Sequence, residues 1–170
     1  MKLRHIPLLF LMGFILFPCL GVAEIKFSDR IEEYSLDNEM KVILIQDKRS
    51  PIVVSSLWYK VGSSFEYPGV TGISHILEHM MFKGTTTTEA GEFSRIIKQL
   101  GGSENAFTGR DFTGYYQKVH KDYLETCLKY ESDRMVNLML NQEDLRTERE
   151  VVKEERRLRT EDNPLSLIHI

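Results

Sequence analysis

The densest group of metal-ligating residue types in the chain is His75-Ile76-Leu77-Glu78-His79. On a helix, residues four apart lie one turn apart on the same face, so both imidazoles reach toward one ion. Glu78 falls close to that face and sets a carboxylate beside it. Zinc suits such a set, because two neutral imidazoles and one carboxylate leave the fourth tetrahedral position open to water. The metal brings the pKa of that water toward roughly 7 and polarises a carbonyl, while a carboxylate takes the proton. Those are the requirements for hydrolysing an amide. The competing explanation is an accidental pair of surface histidines. It fits poorly with an apolar helix after a glycine-rich loop, where unpaired polar side chains are costly unless something binds them.

The third ligand must come from elsewhere. Gln142 to Thr160 reads as a long charged helix, and within it Glu148 and Glu155 stand seven residues apart, two turns along nearly one face. Val151, Val152 and Leu158 lie near that stripe, so this face is expected to pack inward, with Glu150, Glu154 and Arg156 turned to solvent. Residue types alone allow either glutamate as the ligand, and they also allow a plain solvated, salt-bridged helix.

The rest of the chain reads as the scaffold for these helices. Ile31 to Leu36 and Met40 to Gln46 are strand patterns around Asp37-Asn38, a hairpin turn. Ile52 to Val61 is β-branched and aromatic, a central strand, and Gly62 to Gly72 is a loop. Ile73 to Phe82 is helical and ends at Lys83-Gly84. Thr88 is placed to cap a helix from Glu89 to Leu100. Strands follow at Ser103 to Thr108 and Phe112 to Val119, then a helix from Asp122 to Leu140, in which Cys127 reads as a buried small hydrophobe. The order of strands, helix pair, strands, helix pair predicts an α+β fold with helices packed on a largely antiparallel sheet.

At 170 residues, 42% hydrophobic and 28% charged, the chain is sized for one folded domain. Lys2 and Arg4 precede an apolar run from Ile6 to Phe17, and Gly21-Val22-Ala23 carries small residues, so residues 1–23 read as an export signal. The run is short of the roughly 20 residues that cross a bilayer, which disfavours a permanent anchor and predicts no stable span after cleavage. Loss of Lys2 and Arg4 leaves 20 basic residues against 25 acidic in residues 24–170. That balance, with acids interleaved among the bases from Arg146 to Arg159, argues against a nucleic-acid partner. Residues 24–170 form the expected domain, and the protein is expected to be exported, periplasmic or secreted, with a bacterial host.

Several stretches together resemble one family. The motif His75 to His79 with Met80-Met81-Phe82-Lys83-Gly84-Thr85, Gly62 and Gly72, the run Gly101 to Thr108 with Thr113 and Tyr115, and Glu148-Arg149 through Glu155 match, in order and spacing, the pitrilysin, insulysin and mitochondrial processing peptidase group. This is family M16, the inverzincins, and the resemblance spans about residues 30 to 165. It implies one zinc ion per chain on His75, His79 and Glu155, with Glu78 as general base and Glu148 supporting the site without binding metal. It also implies that Asn105, Ala106, Phe107 and Thr108 form an edge strand to which an extended peptide pairs.

The expected function is therefore a zinc metalloendopeptidase acting on peptides or unfolded polypeptides. The alternatives are a noncatalytic M16-like subunit or an inactive truncated fragment working through a partner chain. Family members are built from two related halves, so a second M16-type half or subunit is an expected partner. The stop at Ile170, soon after Asp162-Asn163-Pro164, reads as a C-terminal truncation of the family's N-terminal domain.

Overall fold

The computed structural model describes residues 30–161. The expected signal over residues 1–23 and the tail from 162 lie outside the described residues. Two compact units emerge, dividing after Lys48.

In the first unit, β1 (Ile31–Ser35) pairs antiparallel with β2 (Lys41–Ile45), Tyr34 opposite Val42. The turn closes through Leu36 N–H to Met40 O at 2.9 Å, and Glu39 takes the left-handed conformation, φ +65°.

The second unit is a three-stranded antiparallel sheet with helices. β3 (Ile52–Tyr59) and β4 (Ser103–Thr108) both pair with β5 (Thr113–His120), which runs between them. All strand pairing among the described residues is antiparallel, as the α+β expectation requires. Side chains alternate as the two-residue period of a strand demands. On β5, Thr113, Tyr115, Gln117 and Val119 are buried on the helix side, with Val53 of β3 beside Val119. Trp58 and Phe107 stand on the opposite face on either side of Gly114, their rings 5.2 Å apart. A Cβ on Gly114 would lie 2.6 Å from the Phe107 ring, so this glycine makes the room for it.

Four helices complete the unit: α1 (Ile73–Met80), α2 (Glu92–Gln99), α3 (Leu124–Asn137) and α4 (Gln142–Arg156). Phe93 and Ile97 of α2, Val119 of β5 and Cys127 of α3 form the apolar core. Cys127 is fully buried, and burial pushes its thiol pKa up, which suits a packing role. Beside this core lies a buried polar group. Arg134 donates from Nε to Glu131 Oε2 at 2.7 Å and from Nη2 to Oε1 at 2.5 Å, and Gln117 Nε2 donates to Glu131 at 2.5 Å. The Arg134 guanidinium also lies 4.4 Å from the centre of the Tyr115 ring. Among the described residues no helix is long and apolar enough to cross a membrane.

Several expected boundaries shift, and one expected inward face differs. The second helix starts at Glu92 after Gly91 (φ +70°), and Thr88 does not cap it. The hydroxyls of Thr85, Thr87 and Thr88 instead donate to Asp133 on α3, a charged acceptor that outcompetes a helix N-terminus. α3 ends at Asn137 because Leu138 leaves the helix to bridge Thr85. On α4 the buried residue is Glu148, while Val151 is exposed, as is Leu158 in the π-helical turn Arg157–Glu161 that follows. Glu148, half-buried Val152 and Glu155 follow the i, i+4, i+7 line of one helix face, which leaves Val151 and Leu158 on its flank.

Candidate metal centre

The motif helix is fixed at its start by the loop that precedes it. At its N-terminus Gly72 adopts φ +91°, a conformation that favours glycine. Glu66, from the preceding loop, accepts hydrogen bonds from Gly72 N–H at 2.7 Å and Ser74 N–H at 2.9 Å. Burial raises the Glu66 pKa, and these N–H donors outweigh it and hold the carboxyl below its usual range. A carboxylate thus satisfies helix N–H groups that would otherwise be orphaned. That loop is pinned to the β4–β5 turn by Ser63 N–H to Gly109 O at 3.1 Å and Ser64 N–H to Arg110 O at 2.8 Å. The approach is close enough that a Cβ on Gly62 would lie 2.5 Å from both carbonyl oxygens.

α1 runs beside α4 on one flank and beside β4 on the other. His75 and His79 turn their Nε2 atoms toward each other at 3.3 Å. Glu155 of α4 faces both, Oε2 at 3.6 Å from His75 Nε2 and Oε1 at 3.9 Å from His79 Nε2. One ligand atom from each of these three residues lies within 4.8 Å of the others. Atoms about 2.0 to 2.1 Å from a tetrahedral zinc sit roughly 3.3 to 3.5 Å from one another. The two imidazole nitrogens match that figure at 3.3 Å, and the carboxylate, through one oxygen to each ring, stands somewhat farther out at 3.6 and 3.9 Å.

The donor chemistry fits a cation as well. The other oxygen of the picture is Glu148, whose Oε2 accepts from His79 Nδ1–H at 2.8 Å while Oε1 pairs with Lys83 Nζ at 2.5 Å. Burial raises the Glu148 pKa, but the hydrogen bonds from Lys83 and His79 prevail and keep it below the usual carboxylate range. An ionised carboxylate only accepts, so Nδ1 of His79 carries a proton, and the neutral ring then presents the Nε2 lone pair. Two imidazole nitrogens and a carboxylate directed at one point need a proton or a cation between them. Glu155 Oε2 is buried and accepts no well-aligned hydrogen bond among the described residues, its neighbours being the exposed Arg159 Nη2 at 3.3 Å and His75 Nε2 at 3.6 Å.

Glu78 is buried, with Thr108 Oγ1 donating to its Oε2. Thr108 is backed by Thr113, whose hydroxyl donates to Val61 O at 2.9 Å and lies 3.5 Å from Thr108 Oγ1. The site residues His75, Glu78, His79, Glu148 and Glu155 line one open cleft together with Asn105, Ala106, Phe107 and Thr108. β4 is an edge of its sheet, since β5 covers one side of it.

The structure therefore brings all the sequence-predicted residues to one cleft. Three contributors escaped the sequence reading: Lys83, Glu66, and the hydroxyl contact of Thr108 with Glu78. Lys83 did carry a signal, since 75, 79 and 83 continue one four-residue spacing.

Comparison with known proteins follows the same line. Residues 41–168 match the family Insulinase (Peptidase family M16). The chain is 37% identical over 139 residues to zinc protease PqqE of Helicobacter pylori, covering 81% of this chain and 31% of that protein. It is 34% identical over 139 residues to zinc protease YmxG of Bacillus subtilis, covering 82% and 34%. Among solved structures, a protease from Helicobacter pylori superposes with TM-score 0.77 at 36% identity, over 82% of this chain and 34% of that one. Pitrilysin superposes with TM-score 0.68 at 30% identity, over 74% and 13%. The chain thus spans about a third of the length of the curated relatives it matches.

Proposed function

We propose a zinc-dependent peptidase function from one premise: the chain belongs to the insulinase family, peptidase family M16. In this reading one zinc ion is held by His75, His79 and Glu155, and the protein hydrolyses peptide bonds in peptides or unfolded polypeptides. The observation that carries it is the convergence of two imidazole Nε2 atoms and a carboxylate on one point, beside a buried glutamate.

Zinc bound there would polarise a peptide carbonyl and lower the pKa of a water to roughly 7. The chain's own groups do the remainder. Glu78 takes the proton from the attacking water and passes it to the leaving amine. The Thr108 hydroxyl fixes the orientation of the Glu78 carboxylate through Oε2. The outer edge of β4 at Asn105, Ala106 and Phe107 would offer backbone groups to an extended substrate, with Asn105 Oδ1 giving up the Ala106 N–H it accepts from at 2.9 Å, and so align one peptide bond beside the ligands. Glu148 keeps His79 in the tautomer that presents Nε2. A second M16-type half or subunit is the proposed partner over the open cleft. The N-terminal pattern adds export to this reading, and sequencing the N-terminus of the protein from its host should find Glu24 first.

The test pairs metal analysis with a fluorogenic peptide assay on the parent chain and Glu78→Gln. The expected result is one zinc per chain in both proteins, with cleavage reduced at least about 10²-fold in the variant. A parent chain that takes up no stoichiometric zinc, or a variant that cleaves as the parent does, defeats the reading.

A further inference from the structure

α4 presents two glutamates to the motif helix, and their chemistry is the same. What differs is the cation each meets. Glu155 lies 3.3 Å from the exposed side chain of Arg159, whereas Glu148 is buried against Lys83. We propose that Lys83 is a positioning residue for metal binding: its ammonium group holds the Glu148 carboxylate against His79 Nδ1 and away from the ligand cluster. This inference rests on the zinc-site reading given above.

Both oxygens of Glu148 are spoken for, Oε1 by Lys83 at 2.5 Å and Oε2 by His79 Nδ1 at 2.8 Å. A carboxylate with its two oxygens divided in this way cannot also turn toward Nε2. Lys83 reaches the position because the chain folds tightly after α1. Phe82 N–H donates to His79 O at 3.1 Å and Lys83 N–H to Met80 O at 3.0 Å. Gly84 follows at φ +121°, where a Cβ would lie 2.8 Å from Thr88 O and 2.9 Å from Ala90 N. Only glycine suits that turn, and the turn sets Lys83 beside His79 on the side facing α4.

Without the ammonium group, a buried carboxylate has lost its compensating charge and must move, toward solvent or into the ligand cluster. Either movement deprives His79 of the partner that fixes its ring and tautomer. Loss of such outer partners typically weakens metal binding 10- to 100-fold.

The experiment is a zinc titration of the full chain, stripped of metal, against a chromophoric chelator. Lys83→Met should weaken zinc binding about 10- to 100-fold, Lys83→Arg should restore most of it, and Glu148→Gln should weaken it comparably. In the Glu148→Gln background, Lys83→Met should add no further loss. Circular dichroism checks that each protein is folded, and Lys83→Gln replaces Lys83→Met if the latter is not. Zinc binding equal to the parent in Lys83→Met or Lys83→Gln overturns the proposal, as does a loss that persists undiminished in the Glu148→Gln background. A parent chain that binds no zinc overturns the site reading itself, an outcome distinct from parent binding that is indifferent to Lys83.

Discussion

Asp133→Asn is the substitution that most directly tests how the strap between α1 and α2 is held. Asp133 accepts from Thr85 at 2.5 Å, Asn137 at 2.8 Å, Thr87 at 2.8 Å and Thr88 at 3.0 Å. Those hydrogen bonds, Thr85 foremost, hold its carboxyl at a pKa of about 2. The fall from an ordinary value of 3.8 corresponds to about 2.4 kcal/mol at 1.36 kcal/mol per unit. Asp133 is partly exposed, and solvent screening reduces the net effect to about 1 to 1.5 kcal/mol. The sign is that of a depressed carboxyl: the stabilisation is complete above pH about 4 and is lost as pH falls through about 2. Asparagine keeps the shape but loses the charge, and its amide donors face hydroxyl donors. Asp133→Asn should therefore lower the melting temperature by roughly 2 to 6 °C at pH 7. The difference between parent and variant should shrink steadily below pH 4. Thermal melts followed by circular dichroism from pH 7 to pH 2 measure both. A variant that melts within 1 °C of the parent at pH 7, or a gap that stays constant down to pH 2, refutes the reasoning.

Two further outcomes follow from the same contacts. Thr108→Val removes the hydroxyl that orients Glu78 and should lower kcat about 10-fold or more with KM little changed, while Thr108→Ser retains activity; steady-state peptide cleavage separates the two. Arg134→Met strands Glu131 as an unpaired charge in the core and should cost about 3 to 5 kcal/mol in urea denaturation, whereas Arg134→Met combined with Glu131→Leu should recover only part of that loss, because buried Gln117 then loses the acceptor of its Nε2.

The His75–His79 pair was legible because its spacing is local: residues 75 and 79 share a helix face whatever surrounds the helix. The strands were legible for a similar reason, since β-branched and aromatic runs broken by glycine and Asp-Asn turns leave few other choices. What escaped depends on partners distant in sequence. Thr88 has the residue type of a helix cap, and only the arrival of Asp133 from α3 shows why it serves another purpose. Val151 and Leu158 look like an inward stripe, yet α4 turns its carboxylates to α1 instead, because the polar groups of His79 and Lys83 face it there. Thr108 belongs to a strand whose backbone drew attention to substrate pairing, while its side chain points inward to Glu78. The different surroundings of the two glutamates were likewise invisible to residue types: Glu148 is set against Lys83 and His79 Nδ1, while Glu155 faces the two Nε2 atoms.

α4 meets α1 through charged side chains and leaves Leu145 and Val151 exposed, so little apolar surface fastens it. A seam of that kind weakens with ionic strength, at least where water reaches it, and is a natural place for sub-global opening. An ion shared by His75, His79 and Glu155 would bridge the two helices, and at one hundred times its dissociation constant would add about 2.7 kcal/mol against opening. Amide exchange in α4 should then slow on zinc addition far more than exchange in the sheet. The third ligand would double as the fastening of the helix that carries it, so that chelation loosens the architecture as well as emptying the centre.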